Sequence, residues 1–128
     1  MKIQKFNESI INDLDNFMYD ILEYFYDDET DAMGPTFCFL NDRNKKEFYL
    51  EFNYLVMEML DLENVLKVYN YCKSFDSNSI YYICAEKIDD EILSTCFRII
   101  LSIDKYDKIS SDLNDKLKIK NDTNKYNL

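Results

Sequence analysis

The chain has 128 residues, no histidine and a single glycine, and it carries 25 acidic against 15 basic side chains, a net charge of −10. This length suits one domain with an ordinary hydrophobic core, and an apolar content of 47% excludes a disordered chain. The lack of histidine excludes Ser-His-Asp and Cys-His catalytic groups, and a single glycine excludes a glycine-rich phosphate loop.

The first predicted element is an amphipathic helix over residues 7–25. Apolar side chains recur there at intervals of three and four residues, which places them on one face. They are Ile10, Ile11, Leu14, Phe17, Met18, Ile21, Leu22 and Phe25. The acidic run that follows and the pair Gly34–Pro35 end the helix and form a loop.

The next two apolar segments predict a β-hairpin. Residues 36–40 favour a short strand, and residues 47–55 have the period-two pattern of a half-buried strand. The alternating apolar residues are Phe48, Leu50, Phe52 and Tyr54. A helix over 47–60 is the alternative, because several apolar residues in that range also recur at helical spacing.

A second helix and a second hairpin follow. Asp61 can cap a helix that begins at Leu62 and ends before the polar cluster 74–79. Residues 79–85 are rich in β-favouring side chains, and residues 92–102 alternate again. The side chains on one side of this last strand are Leu93, Thr95, Phe97, Ile99 and Leu101. A capped helix over 90–103 competes with the strand.

The final predicted element is a third amphipathic helix. Its apolar face consists of Ile103, Tyr106, Ile109, Leu113 and Leu117. The chain is therefore predicted to be a single α+β domain over residues 1–118, of order α-ββ-α-ββ-α, with an antiparallel sheet and flanking amphipathic helices. Residues 119–128 are predicted to be a polar, frayed tail. If both ambiguous segments were helices, the fold would instead be an all-α bundle.

The cysteines point to a reducing compartment. Each lies in an apolar run and no two are close in sequence, which predicts reduced, buried thiols: Cys38, Cys72, Cys84 and Cys96. A zinc site needs closely spaced ligands, so no metal and no cofactor are predicted. No signal peptide or membrane span is apparent, and we expect a cytoplasmic protein of a bacterium, or of a host cell if its origin is phage or viral.

The predicted partner-binding surface is the outer surface of the first helix and the loop after it. Residues 13–31 contain eight acids and no base, and such a field repels nucleic acid and membranes while it attracts basic proteins. The predicted contact residues are the acids Asp13, Asp20, Glu23, Asp27, Asp28 and Asp31 and the tyrosines Tyr19, Tyr24 and Tyr26. Alternatively, the acids only maintain solubility and the tyrosines lie at the edge of the core.

The layout resembles two families of small acidic proteins. The segment from Leu62 to Leu117, a helix, a hairpin over 80–101 and a closing helix, is similar to the small chaperones of type III secretion and to YbjN-type domains. The resemblance implies a twisted sheet with flanking helices that binds an extended client segment or pairs into a homodimer. It is carried by layout and composition, and it assigns no functional residue.

Three functions fit these observations, and none of them is enzymatic. The first is a chaperone or adaptor that masks a protein partner and presents an exposed apolar groove. The second is an inhibitor, immunity or anti-defence protein whose acidic face mimics nucleic acid and docks on a basic nuclease or nucleic-acid-binding effector. The third is an all-α viral interaction domain.

Overall fold

The structure is a computed structural model that describes the backbone of residues 2–26, 36–54, 62–87 and 93–126. Its elements are α1 (Lys2–Phe25), β1 (Thr36–Leu40), β2 (Glu47–Tyr54), α2 (Leu62–Phe75), β3 (Ile80–Lys87), β4 (Leu93–Ser102) and α3 (Tyr106–Tyr126), with a 3₁₀ turn over Ile103–Lys105. The predicted α+β order α-ββ-α-ββ-α is confirmed. The all-α alternative is wrong, because both ambiguous segments contain strands.

The four strands form one antiparallel sheet in the order β1-β2-β4-β3. Both predicted hairpins form, and the pairing of β2 with β4 joins them in the middle of the sheet. In that central pair Phe48 faces Leu101 and Phe52 faces Phe97. This topology leaves β1 and β3 as the two edge strands.

Period-two alternation decides the structure of the central strands. On β2 the side chains of Phe48, Leu50 and Phe52 are fully buried, while the residues between them are half-buried. On β4 the same alternation buries Phe97 and Ile99. A helix over either segment would have spread these side chains around its circumference, so the strand buries more apolar surface here.

The helices pack on this inner face of the sheet. Ring centroids of Phe17 on α1 and Phe48 on β2 lie 5.6 Å apart, and Phe17 lies 5.2 Å from Tyr106 on α3. Helix α1 begins earlier than predicted, since Ile3 and Phe6 continue the apolar spacing of its sequence. Helix α3 extends through Tyr126, into the segment predicted as a tail. None of the helices in the described ranges has an apolar stretch long enough to cross a bilayer.

Asparagine and aspartate side chains form the described turns. In the β1–β2 turn, Asn41 Oδ1 accepts hydrogen bonds from the backbone N–H groups of Arg43 (3.0 Å) and Asn44 (3.3 Å). Asn44 Oδ1 accepts another from Lys46 N–H at 3.1 Å. These side chains replace the glycines that the sequence lacks, and no described residue has a positive φ.

A buried aspartate fixes the junction between α2 and β3. Asp76 is 3% exposed, and its carboxylate accepts hydrogen bonds from the backbone N–H groups of Asn78 (3.1 Å) and Ser102 (2.9 Å). Nearby, Ser79 Oγ donates to the carbonyl of Ile100 at 2.7 Å. The end of α2 is thereby tied to β4, which sets where the edge strand β3 begins.

Candidate functional site

The described helices leave the outer face of the sheet uncovered. All three helices pack on the inner face, and every outer side chain that the structure describes is partly or fully exposed. We define the open face by its aromatic and charged residues: Phe37, Phe39, Tyr49, Glu51, Tyr82 and Arg98. They come from all four strands, and the sheet registers place them side by side.

Arg98 lies at the centre of the open face, among three aromatic rings. Its guanidinium carbon is 5.1 Å from the ring centroid of Tyr49, 5.2 Å from that of Phe39 and 5.5 Å from that of Tyr82. Its Nη1 also donates a hydrogen bond of 2.7 Å to the Tyr82 hydroxyl. The cation therefore holds the rings of three strands in one cluster.

Glu51 balances this cation and is itself well supplied with donors. Its Oε1 accepts hydrogen bonds from Arg98 Nε at 3.0 Å, from Arg98 Nη2, and from the Cys96 thiol at 3.2 Å. Its Oε2 accepts one from Asn53 Nδ2 at 3.1 Å. Burial raises the pKa of Glu51, but these hydrogen bonds and the Arg98 charge outweigh it and hold that pKa below its ordinary value.

The two charged side chains of the open face both keep their charges at neutral pH. Glu51 stays ionised at neutral pH, and its partner Arg98 has a pKa above its already high ordinary value, because the hydrogen bond and charge of Glu51 outweigh burial. Neither group is poised to exchange a proton near pH 7. The open face therefore presents aromatic rings around a neutralised ion pair, and aromatic residues and arginine are enriched at protein interfaces.

A groove continues the open face around the edge strand β1. It has a volume of about 560 Å³ and lies between β1 and α1. Its exposed apolar side chains are Tyr19 and Phe37, which are 66% and 48% exposed, and Glu51 and Phe39 of the open face line it as well. The groove and the open face thus form one continuous surface.

A second groove, between α1 and α3, is acidic. It has a volume of about 660 Å³, and four carboxylates line it: Asp13, Asp20, Asp107 and Asp115. Burial and the charge of Glu23 raise the pKa of Asp20, so the folded protein disfavours further negative charge there. Asp107 and Asp115 were missed from the sequence, because they lie in a segment whose net charge is close to zero.

The predicted contact residues divide among several places in the fold. Asp13 and Asp20 line the acidic groove, whereas Tyr19 lines the groove beside β1. Glu23 is exposed, and Lys120 Nζ donates to its carbonyl at 3.1 Å. Tyr24 is half-buried and lies 5.0 Å from the Phe25 ring, between centroids. Tyr26 is buried in the core. Three of the predicted acids lie outside the described residues: Asp27, Asp28 and Asp31.

The prediction that all four cysteines are buried is wrong for two of them. Cys38 and Cys72 are buried, and burial raises the pKa of the Cys72 thiol to about 12. Cys96 is half-buried beside Glu51, and burial followed by that neighbour raises its pKa to about 12. Cys84 is exposed, because it lies on the outer face of an edge strand. The apolar residues beside it in the sequence do not show that its strand lies at an edge of the sheet.

No group of three or more acidic or cysteine side chains in the described parts of the chain is placed to hold a metal ion. Comparison with known proteins adds no functional assignment: no protein-family model, no curated protein and no solved structure matches the chain. The resemblance to secretion chaperones and YbjN-type domains therefore stays a prediction from element order and composition.

Proposed function

We propose that this chain is a non-enzymatic binding protein that masks an apolar segment of a protein partner on its open face, as a chaperone or adaptor does. The observation that supports this most is the cluster of Phe39, Tyr49 and Tyr82 around Arg98 on a sheet face that no described helix covers. Tyrosine, phenylalanine and arginine are the residues enriched at interface centres.

The groove beside β1 extends the surface that a partner segment can contact. A partner segment that lies across the open face can continue over β1, where Tyr19 and Phe37 provide exposed apolar surface next to α1. Asp15 lines the same groove, so a basic residue next to the apolar segment of the partner would be favoured. Four free cysteines suit a reducing compartment, and we place the protein in the cytoplasm.

Selection of short random peptides on the purified protein tests the proposal. Bound peptides should be rich in apolar residues, and Phe37→Lys should weaken their binding by roughly tenfold or more, since it places a charge where the open face meets the groove beside β1. Ile119→Lys is the matched control, because Ile119 is 66% exposed on α3, away from the sheet. Equal weakening by both variants, or none by Phe37→Lys, would contradict the proposal.

The second candidate is an inhibitor that docks its acidic groove on a basic protein. Four carboxylates in one groove, and the raised pKa of Asp20 within it, favour an arriving positive charge. Binding through this groove should fall steeply between low salt and about 0.15 M salt, where exposed charges are screened beyond about 8 Å. Charge reversal at Asp13 and Asp20 should abolish it, while Phe37→Lys should leave it unchanged.

A further inference from the structure

The edge strand β3 has the features of an unprotected pairing edge. Its eight residues pair with β4 in an unbroken register, so no bulge turns its free side away. Ile80, Tyr81 and Ile83 are 57%, 42% and 45% exposed, and Cys84 is exposed as well. Edge strands usually carry a charge, a proline or a bulge against association. In β3 the charged residues are confined to the last two positions, Glu86 and Lys87, and residues 80–84 carry none of these features.

The helix layer stops short of this edge. Tyr81 and Ile83 point to the inner face of the sheet, where Tyr81 stacks on Phe97 at 4.9 Å between ring centroids and meets Tyr69 of α2 at 4.7 Å. Both side chains nevertheless remain more than two-fifths exposed. Beyond α2, no described helix covers them, so apolar surface is left on both faces of the same free edge.

We propose that the occupant of this edge is a second copy of the chain, paired antiparallel through β3 into a continuous eight-stranded sheet. A two-fold axis perpendicular to the sheet keeps every side chain on its own face of the sheet. Directly opposed residues of the two copies therefore lie on the same face, and their sequence numbers differ by zero or by an even number of positions. With the axis at Tyr82, Tyr81 opposes Ile83 and Ile80 opposes Cys84 of the other copy.

This register is favoured because it pairs every exposed apolar residue of β3 with another one. If the axis lay at Ile83 instead, Ile80 would oppose Glu86, which sets an apolar residue against an acidic one. If the axis lay one residue before Tyr82, Ile83 would oppose Ser79, a polar residue that precedes the strand. The self-complementarity of the Tyr82 register favours a second copy over a foreign strand.

The dimer is a weak one. Strand pairing of this length buries less than the roughly 800 Å² per partner of a standard interface, and each copy carries a net charge of −10. We therefore expect dissociation in the micromolar range at about 0.15 M salt, where the long-range repulsion is screened. In the dimer the two open faces become one surface, with both Tyr82 residues at its centre.

Sedimentation over a range of concentrations measures the mass, which should rise from 15.4 kDa to twice that value. Ile83→Lys should raise the protein concentration at which half of the chains are dimeric by roughly tenfold or more, because each new charge would face Tyr81 of the other copy. Ile119→Lys, on the exposed surface of α3, should not move it. A monomer at up to about 1 mM, the weak limit of specific association, or a dimer insensitive to Ile83→Lys, would overturn the proposal.

Cross-linking tests the register separately. Directly opposed residues of antiparallel strands have Cα atoms about 4.5–5.5 Å apart, a distance that a disulfide spans. Ile80→Cys should therefore form an oxidised dimer through the native Cys84, and the double variant with Cys84→Ser should not. Oxidation of the unaltered protein to a dimer through Cys84 alone would overturn the Tyr82 register, since Cys84 would then lie at the axis. Failure of Ile80→Cys to cross-link a folded protein would overturn it too.

Discussion

Replacement of Glu51 by glutamine tests whether the ion pair organises the open face. The side chain of Glu51 is 12% exposed and that of Arg98 is 27% exposed, so water compensates little for a lost contact. In Glu51→Gln the amide oxygen can take the place of Oε1 and still accept from Arg98 and Cys96. The amide nitrogen then replaces Oε2 and cannot accept from Asn53.

The size of the effect follows from these contacts. Loss of the carboxylate charge weakens the Arg98 hydrogen bonds by about half, and loss of the Asn53 hydrogen bond costs about 1 kcal/mol. Together these two losses should lower the free energy of unfolding by about 2 kcal/mol at pH 7. Urea denaturation of both proteins measures this difference directly.

The difference should depend on pH with a definite sign. The pKa of Glu51 in the folded protein lies below its ordinary value of 4.5, so its stabilisation is fully present above that value. It is lost as the pH falls through the folded pKa. The difference between the two unfolding free energies should therefore be constant above the ordinary pKa and shrink as the pH is lowered below it.

Glu63→Gln is the matched control. Glu63 is 84% exposed and faces Lys67 at 3.9 Å across one turn of α2, so its replacement should change stability by no more than about 0.5 kcal/mol. A stability loss for Glu51→Gln as small as that of this control, or one that does not change with pH, would show that the ion pair does not organise the open face.

Two further predictions concern the framework of the fold. Asp76→Ala should lower the free energy of unfolding by about 2 kcal/mol, because it removes a buried acceptor from two backbone N–H groups. Urea denaturation measures this difference. A loss below about 0.5 kcal/mol would show that water replaces the carboxylate. An alkylating reagent should modify Cys84 first, and Cys38 and Cys72 should react only after denaturation, as mass spectrometry can show. Reaction of Cys72 before Cys84 in the folded protein would contradict the burial of Cys72.

The sequence predicted the elements well because their apolar patterns are local. Alternation in β2 and β4 and the three-to-four spacing in α1 and α3 set which face of each element is buried, whatever its neighbours are. The helical alternative for residues 47–60 failed over β2, since only the strand buries Phe48, Leu50 and Phe52 together. Helix spacing alone could not exclude it.

The candidate site was not predictable in the same way, because it depends on strand order and register. Arg98 and Glu51 are 47 residues apart and meet only through the pairing of β2 with β4. The period-two alternation of β2 and β4 did predict that both residues lie on the polar side of their strands. It did not predict that they face each other. Charge density along the chain instead predicted a site within residues 13–31, part of which lies in the acidic groove and part in the core.

We propose that the open face is the surface that binds a protein partner. Amide chemical-shift mapping with a peptide selected on the protein tests this most directly. We expect the perturbed residues to cluster on the outer face of the sheet and along the groove beside β1, around Phe37, Tyr49 and Arg98. Perturbation confined to α1 and α3 around Asp13 and Asp115, with the sheet unchanged, would contradict it.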